Sequence, residues 1–92
     1  MKIRILNEGQ FEVSDALIKE LNQLDERLLA AVNDKDKGAF ASVLEDIHVK
    51  VVDQGRRLPD EYIGPSDLLL PDKDTTLDEI HEFLGDEGLI PG

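Results

Sequence analysis

Two histidines, a few hydroxyls and a large supply of carboxylates are the chemical resources of this 92-residue chain, and their spacing limits what each can do. An imidazole can ligate zinc or carry a proton near neutral pH. His48 and His81, however, follow Ile47 and Ile80 inside helix-like runs, with no further ligand at a zinc-site spacing, so both read as helix-flank residues. The absence of cysteine removes thiolate chemistry, disulfides and Cys-type zinc sites. Ser66-Asp67 lies in no Gly-x-Ser-x-Gly elbow and has no histidine placed to serve it. The doublets Asp25-Glu26 and Glu45-Asp46 are adjacent on helices. Their side chains diverge by about 100°, which suits a solvated flank better than a general acid and base sharing one site.

Cation and phosphate sites fail on similar grounds. Asp34-Lys35-Asp36-Lys37-Gly38, followed by Glu45, superficially resembles a calcium loop, but its glycine comes one position early and its lysines oppose the cation. Asp72-Lys73-Asp74 lacks both the glycine and the closing glutamate. The seven glycines are scattered rather than gathered into a phosphate-cradling loop. The expectation is a chain with no catalytic residues, no metal ligands and no cofactor.

The elements that would carry these side chains centre on the stretch from Ser14 to Gln54. Leu17, Leu21, Leu24, Leu28 and Val32 recur at helical spacing, as do Phe40, Leu44, Ile47 and Val51. Ser14 and Asp36 can cap the two helices at their N-termini, and Gly55 can supply a left-handed residue ending the second. Two helices of about 19 residues, each roughly 28 Å long, would pair antiparallel across the short turn between them. Before them, Ile3 and Ile5 alternate with Lys2 and Arg4, and Phe11 and Val13 with Gln10 and Glu12, around the turn cluster Asn7-Glu8-Gly9. This predicts a β-hairpin with strands at 2–6 and 10–13 and Ile3, Ile5, Phe11 and Val13 on one core face. A lone hairpin is marginal in water and needs a third strand, from this chain or a second copy, or a helix on its apolar face.

Beyond Gly55 the pattern changes. Arg56-Arg57 is the only basic doublet and would complement the dipole at the end of the second helix. A connection with Pro59, Gly64 and Pro65 then leads to Ser66-Asp67-Leu68-Leu69-Leu70-Pro71, which fits a short strand or one helical turn, with the strand preferred. Thr76-Leu77-Asp78-Glu79 fits a capping box that starts a third helix, with Leu77, Ile80, Phe83 and Leu84 as its stripe and Gly85 as its end. The tail offers Leu89 and Ile90 as an apolar peg. The expected fold is α+β, a single domain over 1–92: the N-terminal β-hairpin, with a third short strand if 66–71 joins it, packed on an antiparallel helical hairpin, plus a short C-terminal helix.

Charge narrows the partners. The formal net charge is -11, with 21 acids against 10 bases, and residues 59–92 hold 10 of the acids and one base, Lys73. Such a surface repels phosphate backbones and anionic headgroups, so neither nucleic acid nor direct membrane insertion is expected. The N-terminal apolar run is too short for a signal peptide and no run approaches a membrane span. A cytoplasmic location is the resulting expectation. The carboxylates either simply solvate the domain or serve as an electrostatic handle for a basic partner.

Taken together, Glu8-Gly9-Gln10-Phe11, the segment from Pro65-Ser66-Asp67-Leu68 to Pro71, and the ending Leu84-Gly85-Asp86-Glu87-Gly88-Leu89-Ile90-Pro91-Gly92 resemble the phage-shock-protein-A-associated domain family, PspAA, over essentially the whole chain. The resemblance implies a small soluble accessory or adaptor protein associated with phage-shock protein A, a coiled-coil protein that assembles on damaged bilayers. It implies no enzymatic activity and carries no catalytic residue. On this reading Asp78, Glu79, Glu82, Leu89 and Ile90 are the candidate partner-binding residues, the acids steering a basic helix and the apolar pair docking it. Two alternatives remain: a structural module that dimerises through the free hairpin edge, and an enzyme whose site forms between subunits.

Overall fold

The computed structural model describes residues 1–59, 61, 64–80 and 89–90. Strands β1 (Lys2–Ile5) and β2 (Gly9–Glu12) form the expected antiparallel hairpin, with Ile3 opposite Phe11 and Ile5 opposite Gly9. The turn needs two residues at positive φ, Asn7 at 69° and Gly9 at 127°. At the second, a Cβ would also come within 3.2 Å of the Arg57 guanidinium, so glycine serves both conformation and space.

Helices α1 (Asp15–Asn33) and α2 (Lys37–Gln54) follow as an antiparallel hairpin. Ser14 Oγ accepts from the Leu17 amide at 3.1 Å, and Asp36 Oδ1 accepts from the Ala39 amide at 3.1 Å, each satisfying a first-turn donor that the helix itself leaves unpaired. The α1 C-terminus closes with paired backbone bonds, Asp36 N–H to Ala31 O at 2.9 Å and Lys35 N–H to Val32 O at 3.1 Å. This pattern requires a left-handed residue, and Lys35 takes it at φ 54° although glycine would do so without strain. Gly38 instead lies within α2, where its flexibility is not used.

Among the described residues the sheet has four strands, in the order β3-β2-β1-β4. The segment at 66–71 supplies β4 (Leu68–Leu70), parallel to β1, with Ile3 opposite Leu68 and Ile5 opposite Leu70. Arg56-Arg57 does more than follow a helix end: it is β3 (Arg56–Arg57), antiparallel to β2, with Arg57 opposite Phe11 and its guanidinium 5.4 Å from that ring. Both edges of the hairpin are thus occupied within the chain. The free edge on which trans pairing depended is not there, because β2 and β1 each find a partner in the segments after α2.

Gly55 ends α2 in extended rather than left-handed backbone, at φ -80° and ψ 165°, because the chain must turn straight into β3. Its lack of a Cβ is a matter of space: an added one would lie 2.5 Å from the Val51 carbonyl oxygen and 3.2 Å from the Val13 side chain.

The core lies between the helix layer and one sheet face. Ile3, Ile5, Phe11, Val13 and Leu70 meet Leu17, Leu21 and Leu28 of α1 and the whole predicted stripe Phe40, Leu44, Ile47 and Val51 of α2. On α1 the buried face is rotated from the one expected: Leu24 and Val32 are half-buried at the margin, while Asp25 and Ala31 are buried. Leu77, Ile80, Leu89 and Ile90 from the acidic C-terminal third complete the core. The capping box forms, with Glu79 N–H to Thr76 Oγ1 at 3.3 Å and Thr76 N–H to Glu79 Oε1 at 3.1 Å. The described residues show a first turn as far as Ile80 and no third helix; Phe83, Leu84 and Gly85 lie outside them.

Candidate functional site

Three arrangements of polar side chains stand out, each fixed by the element that carries it. The first is Asp25. It lies between Leu21 and Leu28 on the buried face of α1 and is only 2% exposed, so it is no solvated flank residue. Its Oδ1 accepts the Leu89 amide at 3.1 Å and its Oδ2 the Ile90 amide at 2.9 Å, so both carboxylate oxygens hold the returning tail. Burial pushes its pKa above the ordinary 3.8, against the two amide bonds that favour the ionised form. A carboxylate whose two oxygens are taken by backbone donors is a structural clamp with little left for general-base work.

The second is His48, which is buried in α2 instead of standing on its flank. Its Nε2 lies 2.7 Å from the Pro71 carbonyl oxygen, a bond the ring makes as donor, tying α2 to the residue just past β4. Burial lowers its pKa below the ordinary 6.5, a shift opposed by the Pro71 carbonyl and by the charges of Glu8 and Asp72. His81 lies outside the described residues.

The third is the acidic run from Asp72 to Glu79. Asp72 Oδ1 accepts the Asp74 amide at 2.9 Å, and its Oδ2 accepts the Asn7 side-chain amide at 2.8 Å, which anchors this run to the β1–β2 turn. Asp72-Lys73-Asp74, which lacks the features of a calcium loop, forms a hydrogen-bonded turn. Asp78 and Glu79 are exposed, as a steering role requires; Glu82 lies outside the described residues. Leu89 and Ile90 are 3% and 0% exposed and packed in the domain's own core. The structure thus separates the candidate partner-binding set: Asp78 and Glu79 face solvent while Leu89 and Ile90 are engaged within the chain. Ser66 donates its hydroxyl to Gln10 Oε1 at 2.7 Å, linking the lead-in to β4 with β2.

Asp25 and His48 are the functional-looking residues that spacing alone misplaced. One signal was available for Asp25: it falls four residues after Leu21 and three before Leu28, in register with the apolar face. Among the described residues no group of three or more His, Asp or Glu is placed to hold a metal ion, and no helix is long and apolar enough to cross a membrane.

No curated protein and no solved structure matches the chain. The family model described as PspA-Associated protein, PspAA, matches residues 1–92, the whole chain, and the chain therefore belongs to the PspAA family.

Proposed function

We propose that this chain is a non-catalytic accessory protein that binds phage-shock protein A and modulates its assembly or membrane engagement from the cytoplasm. The observation that carries the reading is the whole-length family match, whose description names PspA as the associate. The charge distribution supports it: ten of the 21 acids fall after residue 58 against one base, and Asp78 and Glu79 are exposed there. A surface of this sign attracts basic amphipathic helices and is repelled by the anionic lipid on which such helices settle. In this proposal Asp78, Glu79 and Glu82 steer the encounter. Leu89 and Ile90 enter only as a salt-resistant contact made when the tail leaves Asp25.

The experiment is binding to purified phage-shock protein A across a salt series, with the parent chain and with Asp78→Asn, Glu79→Gln and Glu82→Gln combined. Charge removal and added salt should both slow association, since exposed charges are screened beyond about 10 Å near 0.1 M salt. Tight binding that ignores both would discard the steering role and leave the partner; absence of binding under every condition would reject the adaptor reading.

A further inference from the structure

The outward face of α2 carries two valines that the fold does not use. Val49 is 58% exposed and Val52 46%, one helical turn apart. A β-branched side chain on an exposed helix face gains no packing and loses rotamer freedom, so folding alone would favour alanine, lysine or glutamate there.

The surface around them is concave. On one side a groove of about 470 Å³ is lined by Glu8, Glu45, His48, Val49, Val52, Asp53 and Lys73. On the other, a hollow of about 310 Å³ is lined by Leu24, Asp46, Lys50 and Gln54 together with the shared Val49 and Asp53. The two depressions share Val49, which with Val52 and Leu24 makes a short apolar strip of about one helical turn, bordered by the carboxylates of Glu8, Glu45, Asp46 and Asp53. Of the two bases in the lining, Lys50 lies 3.9 Å from Glu20 and is offset by it. Lys73 belongs to the acidic run 72–79, and it also lines the neighbouring hollow with Asp74 and Asp78, so the valine floor is continuous with the steering surface.

We infer that this α2 face is the docking surface, and that its occupant is a basic amphipathic helix that lays an apolar stripe on Val49 and Val52 between Glu45, Asp46 and Asp53. The occupant follows from charge complementarity: an apolar floor between carboxylates fits a helix with leucine-like residues at three- and four-residue spacing and Lys or Arg on the flanks. A second copy of this chain, at net -11, meets the same rim with like charge. The inference rests on the accessory-protein reading only for which protein supplies the helix.

The test titrates isotope-labelled protein with purified phage-shock protein A and, separately, with a synthetic amphipathic helix bearing a leucine stripe and lysine flanks. Amide shifts or broadening should centre on Glu45, Val49, Val52 and Asp53 with both probes. Val49→Gln with Val52→Gln should weaken binding at least about tenfold while leaving thermal unfolding unchanged, because neither side chain is part of the core. Glu45→Gln with Asp53→Asn should weaken it too and flatten its salt dependence. Binding of phage-shock protein A elsewhere, indifferent to the valine pair, overturns this surface and leaves the accessory reading intact. Binding of the synthetic helix alone, lost in the valine variant, supports the surface and removes phage-shock protein A as its occupant. Failure of both probes overturns the surface, as does self-association of the parent chain that the valine variant abolishes.

Discussion

Removing the carboxylate of Asp25 should release the tail from the core and cost stability through two backbone donors rather than through lost side-chain volume. In the native state its oxygens accept the Leu89 and Ile90 amides at 3.1 and 2.9 Å, in a site only 2% exposed. Hydrogen bonds to a charged group contribute about 1.5 to 3 kcal/mol each, so the pair supplies about 3 to 6 kcal/mol gross. Desolvation of the carboxylate outweighs these bonds in setting its pKa, so the expected cost of Asp25→Ala, about 2 to 4 kcal/mol, comes from the two buried amides left without an acceptor. Asp25→Asn keeps one acceptor but turns its NH₂ toward the second amide, so it should cost about half as much. Urea unfolding gives the energies, and hydrogen exchange at the Leu89 and Ile90 amides shows whether the loss is local. Removing residues 89–92 should reverse the sign: Asp25→Leu then deletes a buried carboxylate that no longer has donors, and becomes neutral or stabilising. An Asp25→Ala protein within about 0.5 kcal/mol of the parent, with slow exchange retained at both amides, would refute the clamp.

His48 makes stability depend on pH. Its folded pKa is lowered, so the unfolded chain takes up the proton first, and the stability it contributes is present above 6.5 and lost as pH falls through that value toward the folded pKa. Replacing it by glutamine, which keeps a donor for Pro71, should flatten that part of a stability-against-pH curve, and an unchanged slope would assign the acid sensitivity to other groups. Asp25 has the opposite sign: its pKa is raised, so its contribution is present below 3.8 and lost as pH rises through the folded value. Gly55→Ala should destabilise by more than about 1 kcal/mol in thermal unfolding despite the ordinary φ, because its Cβ would meet the Val51 carbonyl at 2.5 Å. Lys35→Gly should stabilise by roughly 0.5 to 1 kcal/mol in urea unfolding by relieving the left-handed lysine at the end of α1.

Local patterns were sufficient for whatever is decided locally. Strict alternation around Asn7-Glu8-Gly9 specified the β1–β2 hairpin and its core face, and helical spacing specified α1, α2 and the buried stripe of α2. The hydroxyl or carboxylate at Ser14 and Asp36 located both helix starts, and Thr76 with Glu79 the capping box, since caps are short-range hydrogen bonds written into adjacent residues. The family was legible too, through motifs spread over the whole chain.

What required the tertiary structure is what depends on a partner distant in sequence. Two residues, Arg56-Arg57, are too few to show a strand period, and became β3 because β2 offered an unpaired edge beside the end of α2. Gly55 is crowded by the Val51 carbonyl four residues back and also by Val13, 42 positions away, and no turn rule encodes the second. Asp25 and His48 read as surface residues by type, and their burial was decided by the Leu89 and Ile90 amides and the Pro71 carbonyl arriving from 23 to 65 residues along the chain. A polar side chain can enter a core when a partner meets it there, and the identity of that partner is a property of the folded chain.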